Sequence, residues 1–138
     1  MPNDDLFCKI AAGEESAHKV YESENVIAFL DINPVNPGHI LITPKKHYND
    51  LLAADDEILQ EMILVTRKVA AGIILAFDEY DAFNLKLNNG RIAGQVIPHL
   101  HWHIIPRKSG DGLTQWPGKQ YGEGEAEEVA EKIKNQLA

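Results

Sequence analysis

The chain has 138 residues, 44% hydrophobic and 25% charged, with a formal net charge of −8. This length suits one domain around one core, and the composition is that of an ordinary soluble globular protein, with nothing that forces a disordered, collagenous or repeat architecture. Such acidity disfavours general DNA or RNA binding, which needs a cationic surface to displace counterions, but leaves room for a small phosphate ligand in a local field.

From the N-terminus, residues 4–12 are predicted to form a short helix, with Asp4 and Asp5 at its start and Gly13 past its end. Residues 19–23 and 26–31 read as two short strands joined by a tight turn at Glu24 and Asn25. "INPVNPGH" (32–39) is a loop, and "HILITP" (39–44) is a third strand. Next comes the longest helical pattern, 55–77, with Asp55 expected to cap it and Asp56 and Glu57 in its first turn. Its apolar positions run through Ile58, Met62, Thr66, Val69, Ala70 and Ile73 at helical spacing. "FNLKLN" (83–88) alternates as a fourth strand, and residues 99–105 read as a fifth. The glycine-rich stretch after Arg107 is a long loop, and 125–137 place Ala126, Val129, Ala130, Ile133 and Leu137 on one helical face. Five strands and one long helix without βαβ alternation predict a single α+β domain over 1–138. Its core is expected over about 4–107, with a C-terminal loop and helix over about 108–138.

No apolar run approaches the roughly 18–20 residues needed to cross a bilayer, and "MPNDDLFCKI" has no apolar signal region. Cys8 is the one cysteine, so no intrachain disulfide can form. These features predict a cytoplasmic protein that binds no membrane.

"PHLHWHIIP" (98–106) holds half of the chain's six histidines. On a strand, His99, His101 and His103 project to one face with successive Cα atoms roughly 7 Å apart. Leu100, Trp102 and Ile104 project to the other, and their apolarity assigns that face to the core. The histidine row is therefore expected to line a surface or cleft. Imidazole serves as metal ligand, acid–base group or nucleophile. No carboxylate is interleaved with the row. Just upstream, "LNNGRIAGQ" (87–95) offers amides and glycines that let backbone N–H groups approach an anion. This setting suits a phosphate better than a cation, and a neutral imidazole is a competent nucleophile toward phosphorus near neutral pH.

With "HLHWHII" in place, the chain resembles the histidine-triad (HIT) family of nucleotide-binding proteins. The likeness extends to "LFCKIAAGE" (6–14), "VIAFLDINPVNPGHILITPKKHY" (26–48) and "LNNGRIAGQVIPHLHWHIIPR" (87–107), in family order. The resemblance implies a HIT-like fold: a five-stranded antiparallel sheet, one long helix and short terminal helices, paired as a two-fold homodimer. It implies hydrolysis or transfer of nucleoside monophosphates through a covalent nucleotidyl-histidine, with a purine nucleotide as substrate and no cofactor required. By position, His101 resembles the nucleophile and His99 the residue that orients it. His103 resembles the phosphate contact that helps the leaving group depart, and His47 the family's fourth histidine, bonded within the triad network. Asn88, Gln95 and Val96 match the phosphate-holding region, with main-chain N–H groups at Gln95 weighing more than its side chain. Asp31 resembles the ribose-binding carboxylate, with turn initiation as its plainer role. Phe7, Ile10, Phe29 and Ile32 resemble the walls of the base pocket, with plain core as the alternative. His39 is left outside the site.

Two departures stand out. Val96 occupies a place where many relatives carry a hydroxyl residue, which bears on turnover more than on binding. Some bacterial and archaeal relatives bind structural zinc through two cysteines and two histidines. Here Asp5 stands at the first cysteine's place, and no metal is predicted on Asp5, Cys8, His47 and His99. The readings that follow are a purine nucleoside phosphoramidase, with a dinucleoside polyphosphate hydrolase as the nearest enzyme alternative. A nucleotide-binding adaptor with weak catalysis and a metal-dependent enzyme are the others.

Overall fold

The computed structural model describes residues 5–137. Asp4, at the start of the first predicted helix, and the extreme ends of the predicted 1–138 domain lie outside the described residues. The strands are β1 (Lys19–Glu22), β2 (Val26–Leu30), β3 (Ile40–Pro44), β4 (Ala82–Leu87) and β5 (Trp102–Arg107). They form one antiparallel sheet in the order β1-β2-β3-β5-β4. The helices are α1 (Leu6–Ala11), α2 (Asp56–Ala76) and α3 (Glu125–Lys134). The α+β class and the five-stranded sheet are those expected from the strand and helix patterns.

Period-two alternation gives the sheet two buried faces. On one, Val26, Ala28, Ile40, Ile42, Trp102 and Ile104 pack under α2, whose Ile58, Met62, Val65, Ala70 and Ile73 recur along a single stripe. On the other, Ile27, Phe29 and Leu41 pack against Phe7 and Ile10 of α1. Six residues make too short a helix to persist alone in water. Asp5 caps α1 by accepting from the Cys8 N–H at 2.8 Å, and burial of Phe7 and Ile10 contributes about 1.5–3 kcal/mol each.

Three details differ from the expectation. The fifth strand begins at Trp102, not His99, because its pairing with β3 stops at Ile42 opposite Trp102. Beyond that point Pro44 has no N–H to give. The Thr43 hydroxyl takes the Leu100 carbonyl at 2.8 Å and the Leu100 N–H turns to the Tyr48 carbonyl at 2.6 Å. At its other end β5 runs through Pro106 to Arg107, where β4 is the only partner strand and a missing N–H on the open side costs no ladder bond. Asp55 stands at the N-cap of α2 but makes no side-chain cap bond; its carboxylate accepts from the Tyr48 hydroxyl at 3.0 Å. The last helix, α3, ends at Lys134 and not at 137, so Leu137 lies beyond it, and its apolar face is uncovered, with Ile133 exposed. Among the described residues no helix is long and apolar enough to cross a membrane.

The buried Trp102 donates its indole N–H to the Thr66 hydroxyl at 2.7 Å, and that hydroxyl donates to the Met62 carbonyl at 2.7 Å. Thr66→Val keeps the shape and orphans the indole N–H. It is expected to lower unfolding free energy in urea by about 1–3 kcal/mol. An unchanged midpoint and slope would contradict this packing.

Candidate active site

The three histidines face the α1 side of the sheet but reach different depths. His99 is fully buried, His101 is 8% exposed and His103 is half-buried. Only His103 lies on β5; the two others precede it in chain whose backbone bonds go to side chains and loops. His101 donates from Nδ1 to the His99 carbonyl at 2.7 Å. A carbonyl only accepts, so Nδ1 carries the proton and Nε2 keeps its lone pair. Phe7 meets this ring edge-on, with centroids 4.8 Å apart, and fixes its plane. His99 therefore orients His101 through its backbone oxygen. Its own ring donates from Nε2 to the Pro44 carbonyl at 2.8 Å and points Nδ1 away from the cleft.

His101 and His103 open onto a cleft of about 680 Å³, a volume typical of small-molecule sites. Of the residues singled out in the sequence, Asp31, Asn88, Val96, Phe7, Ile10, Phe29 and Ile32 also line it. Phe7, Ile10 and Phe29 are at most 4% exposed and belong to the core as well as the wall, whereas Ile32 is 81% exposed at the rim. Asp31 starts the turn by accepting the Asn33 N–H on Oδ1 at 2.8 Å, which leaves Oδ2 facing the cleft side near His39, 3.6 Å away.

Gln95 is placed differently from the expectation. It does not line the cleft. Its amide oxygen accepts the Gly90 N–H at 2.8 Å, its NH2 donates to the Asn49 carbonyl at 2.7 Å, and its own N–H donates to the Gly90 carbonyl at 3.0 Å. All of its polar groups but the carbonyl oxygen are committed to shaping the loop. The Val96 N–H has no hydrogen-bond partner among the described residues and remains available to an anion. Asn88 sits over Gly94, donating to its carbonyl at 3.4 Å. Gly94 has φ +100°, and a Cβ there would come within 3.2 Å of the Asn88 amide, so the close approach requires glycine.

His47 lies behind the triad, outside the cleft. It meets His99 edge-on at 5.1 Å between centroids and shares the Asp5 carboxylate with it: His47 Nδ1 is 2.8 Å and His99 Nδ1 3.2 Å from Asp5 Oδ2. Cys8 Sγ is 3.3 Å from His99 Nδ1 and 3.6 Å from His47 Nδ1. Asp5, Cys8, His47 and His99 thus bring one ligand atom each to within 4.8 Å of one another. The far nitrogens of both rings have partners of their own, the Pro44 carbonyl for His99 and Asn49 Oδ1 at 2.9 Å for His47. Those bonds aim both Nδ1 atoms inward, as outer partners do for ligating histidines. One carboxylate, one thiol and two imidazoles fit a structural zinc ion, although no metal was predicted here from sequence.

Burial holds all three imidazoles at the cleft, His101, His103 and His39, toward their neutral forms. For His101 burial outweighs the opposing bond to the His99 carbonyl. For His39 it outweighs the pull of Asp31, with Lys86 adding to the same effect. For His103, burial with His101 and His39 alongside lowers the pKa to about 4. On Asp5, burial works to raise the pKa, but the Cys8 N–H and thiol bonds and the His99 charge hold it below the usual carboxylate range.

The sequence reading missed His39 and Lys86, which both line the cleft. Lys86 pairs across β4–β5 with His103, and its alternation with Asn84 and Asn88 was the available signal. His39 sits two residues before Leu41, which pairs with His103, so strand parity placed it on the triad's face.

The chain is similar to known proteins over most of its length. The HIT domain matches residues 12–110. An uncharacterized HIT-like protein of Methanocaldococcus jannaschii is 49% identical over 107 residues, covering 78% of this chain and 81% of that one. The adenosine 5'-monophosphoramidase HNT1 of Candida albicans is 36% identical over 140 aligned residues, covering 96% and 91%. The crystal structure of a HIT family protein from Bacillus anthracis superposes with a TM-score of 0.89 at 38% identity, covering 99% of both chains.

The depressed pKa of His103 sets a pH dependence of stability. Between its ordinary value near 6.5 and its folded value of about 4, the unfolded chain binds a proton that the folded chain does not. Stability contributed at neutral pH is therefore lost as pH falls through that window, by at most about 1.4 kcal/mol per pH unit for one group. His103→Asn is expected to flatten the decline in urea melts from pH 7 to 4.5. An identical slope would show that His103 titrates normally.

Proposed function

The chain belongs to the HIT-domain family, and from that premise we propose that it hydrolyses derivatives of purine nucleoside monophosphates at the α-phosphorus, phosphoramidates first among them. The observation that carries this reading is the His101 ring, which lines the cleft and is held by its Nδ1–H on the His99 carbonyl at 2.7 Å, with no hydrogen-bond partner for Nε2 among the described residues. The name of the Candida albicans relative, an adenosine 5'-monophosphoramidase, supports the choice of substrate class.

On this reading the base lies between Phe7, Ile10, Phe29 and the Ile32 rim, and Asp31 Oδ2 accepts from the ribose hydroxyls. The Val96 N–H and the Asn88 amide hold the α-phosphate and stabilise its developing charge. Gln95 serves by holding the loop that presents Val96. His101 Nε2 attacks phosphorus and the P–N bond to the amine breaks; the departing nitrogen takes its proton from His103 in its doubly protonated form, which is left as the neutral imidazole. Water then attacks the nucleotidyl-histidine, giving a proton back to the neutral His103 and returning the P–N electron pair to His101 Nε2, and the monophosphate is released. Two in-line displacements give net retention at phosphorus. No metal takes part in these steps. A zinc ion on Asp5, Cys8, His47 and His99 would be structural, tying α1 to the triad segment.

We further propose that two copies pair through β4. That strand is an edge of the sheet, and it exposes Phe83 at 43% and Leu85 at 47%. An open apolar edge of this kind is ordinarily covered.

Two outcomes test the reading. His101→Ala is expected to reduce hydrolysis of adenosine and guanosine phosphoramidates by a factor on the order of 10⁴ or more while leaving monophosphate affinity within a few-fold. The acid-quenched parent protein should carry a monophosphate adduct on His101 by mass spectrometry. Turnover surviving the substitution, or an adduct elsewhere, would remove His101 as nucleophile. For the pairing, light scattering is expected to give a dimer, and Leu85→Lys a monomer at the same concentration; a parent monomer would refute it.

A further inference from the structure

The mechanism above gives no task to Lys86. The charged residues that line the cleft are Glu15, Asp31 and Lys86. A chain with 21 aspartates and glutamates against 13 lysines and arginines thus presents one cation there among the described residues. We propose that Lys86 is the anion contact of a leaving-group subsite beside His103, so that the enzyme favours nucleoside monophosphate derivatives whose leaving group is or carries an anion: a carboxylate, a sulfate or a phosphate. The proposal rests on the hydrolase reading and deepens it by naming what stands on the far side of the α-phosphorus.

Strand geometry fixes where the lysine points. Lys86 lies directly opposite His103 in the β4–β5 ladder, and such partners hold their Cβ atoms roughly 4.5–5.5 Å apart on one face of the sheet. Asn88, two residues on, lines the same cleft. The charge of Lys86 acts on His103 and His39, whereas the charges acting on His101 are those of His99, Asp31 and Asp5. The ammonium is therefore on the His103 side of the nucleophile, the side assigned to the leaving group. His103 Nδ1 is engaged with His39 Nε2 at 2.9 Å, and His39 Nδ1 accepts the Val35 N–H at 3.1 Å. That leaves His103 Nε2 and Lys86 together for the departing group.

Other lysines are paired within the protein. Lys19 and Lys45 meet Glu22, Lys46 meets Asp55, and Lys68 lies over the Tyr21 ring. Lys86 has no carboxylate or ring partner among the described residues. Its neighbours in the row are engaged elsewhere: Asn84 accepts from Arg107 at 2.8 Å, and Asn88 donates to the Gly94 carbonyl at 3.4 Å. Without an anion, the lysine only works against protonation of the two imidazoles beside it. A substrate anion reverses this effect. It pairs with Lys86 and offsets the charge that keeps His103 neutral, so the contact that seats the leaving group also favours the protonated His103 that releases it.

The bond changes are those already written. His101 Nε2 forms its bond to phosphorus and the bond to the leaving group breaks. An amine departs with the proton of His103, and a sulfate or phosphate oxygen departs with the electron pair. Among phosphoramidates, the fitting amine is one that bears an acid.

The experiment uses the full-length protein and the adenosine 5'-phosphoramidates of glycine, glycinamide and ethylenediamine, which present an anion, a neutral amide and a cation. Adenylyl sulfate and ADP supply the other two anions. The readout is the ratio of kcat/KM for the glycine compound to that for the ethylenediamine compound, in which any loss common to both cancels. Lys86→Gln is expected to lower this ratio by about 10-fold and Lys86→Glu by about 100-fold, while Lys86→Arg keeps most of it. The anion whose turnover falls most in Lys86→Gln, relative to glycinamide, identifies the source the subsite fits. By calorimetry, α,β-methylene-ADP should bind the parent more tightly than AMP does, and Lys86→Glu should abolish that difference.

An unchanged ratio in Lys86→Gln and Lys86→Glu overturns the proposal. So does an equal loss for every substrate and for AMP, the result expected if Lys86 held the α-phosphate. Should the parent hydrolyse none of these compounds, the hydrolase reading fails, while the calorimetry still decides the anion contact: equal affinity for the two nucleotides, or a difference that survives Lys86→Glu, removes it.

Discussion

The bond from His101 Nδ1–H to the His99 carbonyl, 2.7 Å long, is the constraint on which the rest of the site depends. It decides which nitrogen of the ring is basic and where that nitrogen points. A carbonyl two residues away is a poor anchor unless its own peptide is held, and here it is held three ways. The His99 ring donates to Pro44, the Leu100 N–H donates to Tyr48, and the Leu100 carbonyl accepts from Thr43. Because these bonds replace a strand ladder, the segment departs from β geometry just where His101 must tilt under Phe7. No buried side-chain nitrogen or oxygen among the described residues lacks a partner. So polar a face can therefore be buried without the several-kilocalorie penalty of an orphaned group.

The two faces of the sheet divide the work. The α2 side is an ordinary core of aliphatic residues, Met62 and Trp102, and it holds the strands in register. The α1 side is half core and half chemistry. Phe7 buries Phe29 and at the same time confines His99 and His101. A helix of six residues can serve as a cleft wall only because its N-terminal carboxylate, Asp5, caps it and reaches both His47 and His99. Stability of the wall and placement of His99, and through its carbonyl of His101, are thus coupled through one aspartate.

Much of this was legible in the residues. Alternation of His99, His101 and His103 against Leu100, Trp102 and Ile104 assigned the two faces correctly, and the stripe of α2 and the edges of β1 to β4 fell within about a residue of their observed bounds. What escaped was set by tertiary bonding. The strand start at Trp102 depends on what Thr43 and Pro44 can offer across the sheet, and Asp55 was diverted from capping by the Tyr48 hydroxyl. Gln95 pattern-matched to a phosphate contact, yet its groups close the loop on Gly90 and Asn49. His39 read as a loop end because its partners, Val35 and His103, are four residues and a strand away. The gathering of Asp5, Cys8, His47 and His99 is likewise a product of α1 folding across the triad segment.

The claim that His101 Nε2 is the open, basic nitrogen has a regiochemical consequence. A nucleotidyl intermediate trapped by rapid quench and analysed by 31P–15N coupling in imidazole-labelled protein should carry phosphorus on Nε2 of His101. Attachment at Nδ1, the atom the structure commits to the His99 carbonyl, would contradict the account at its root.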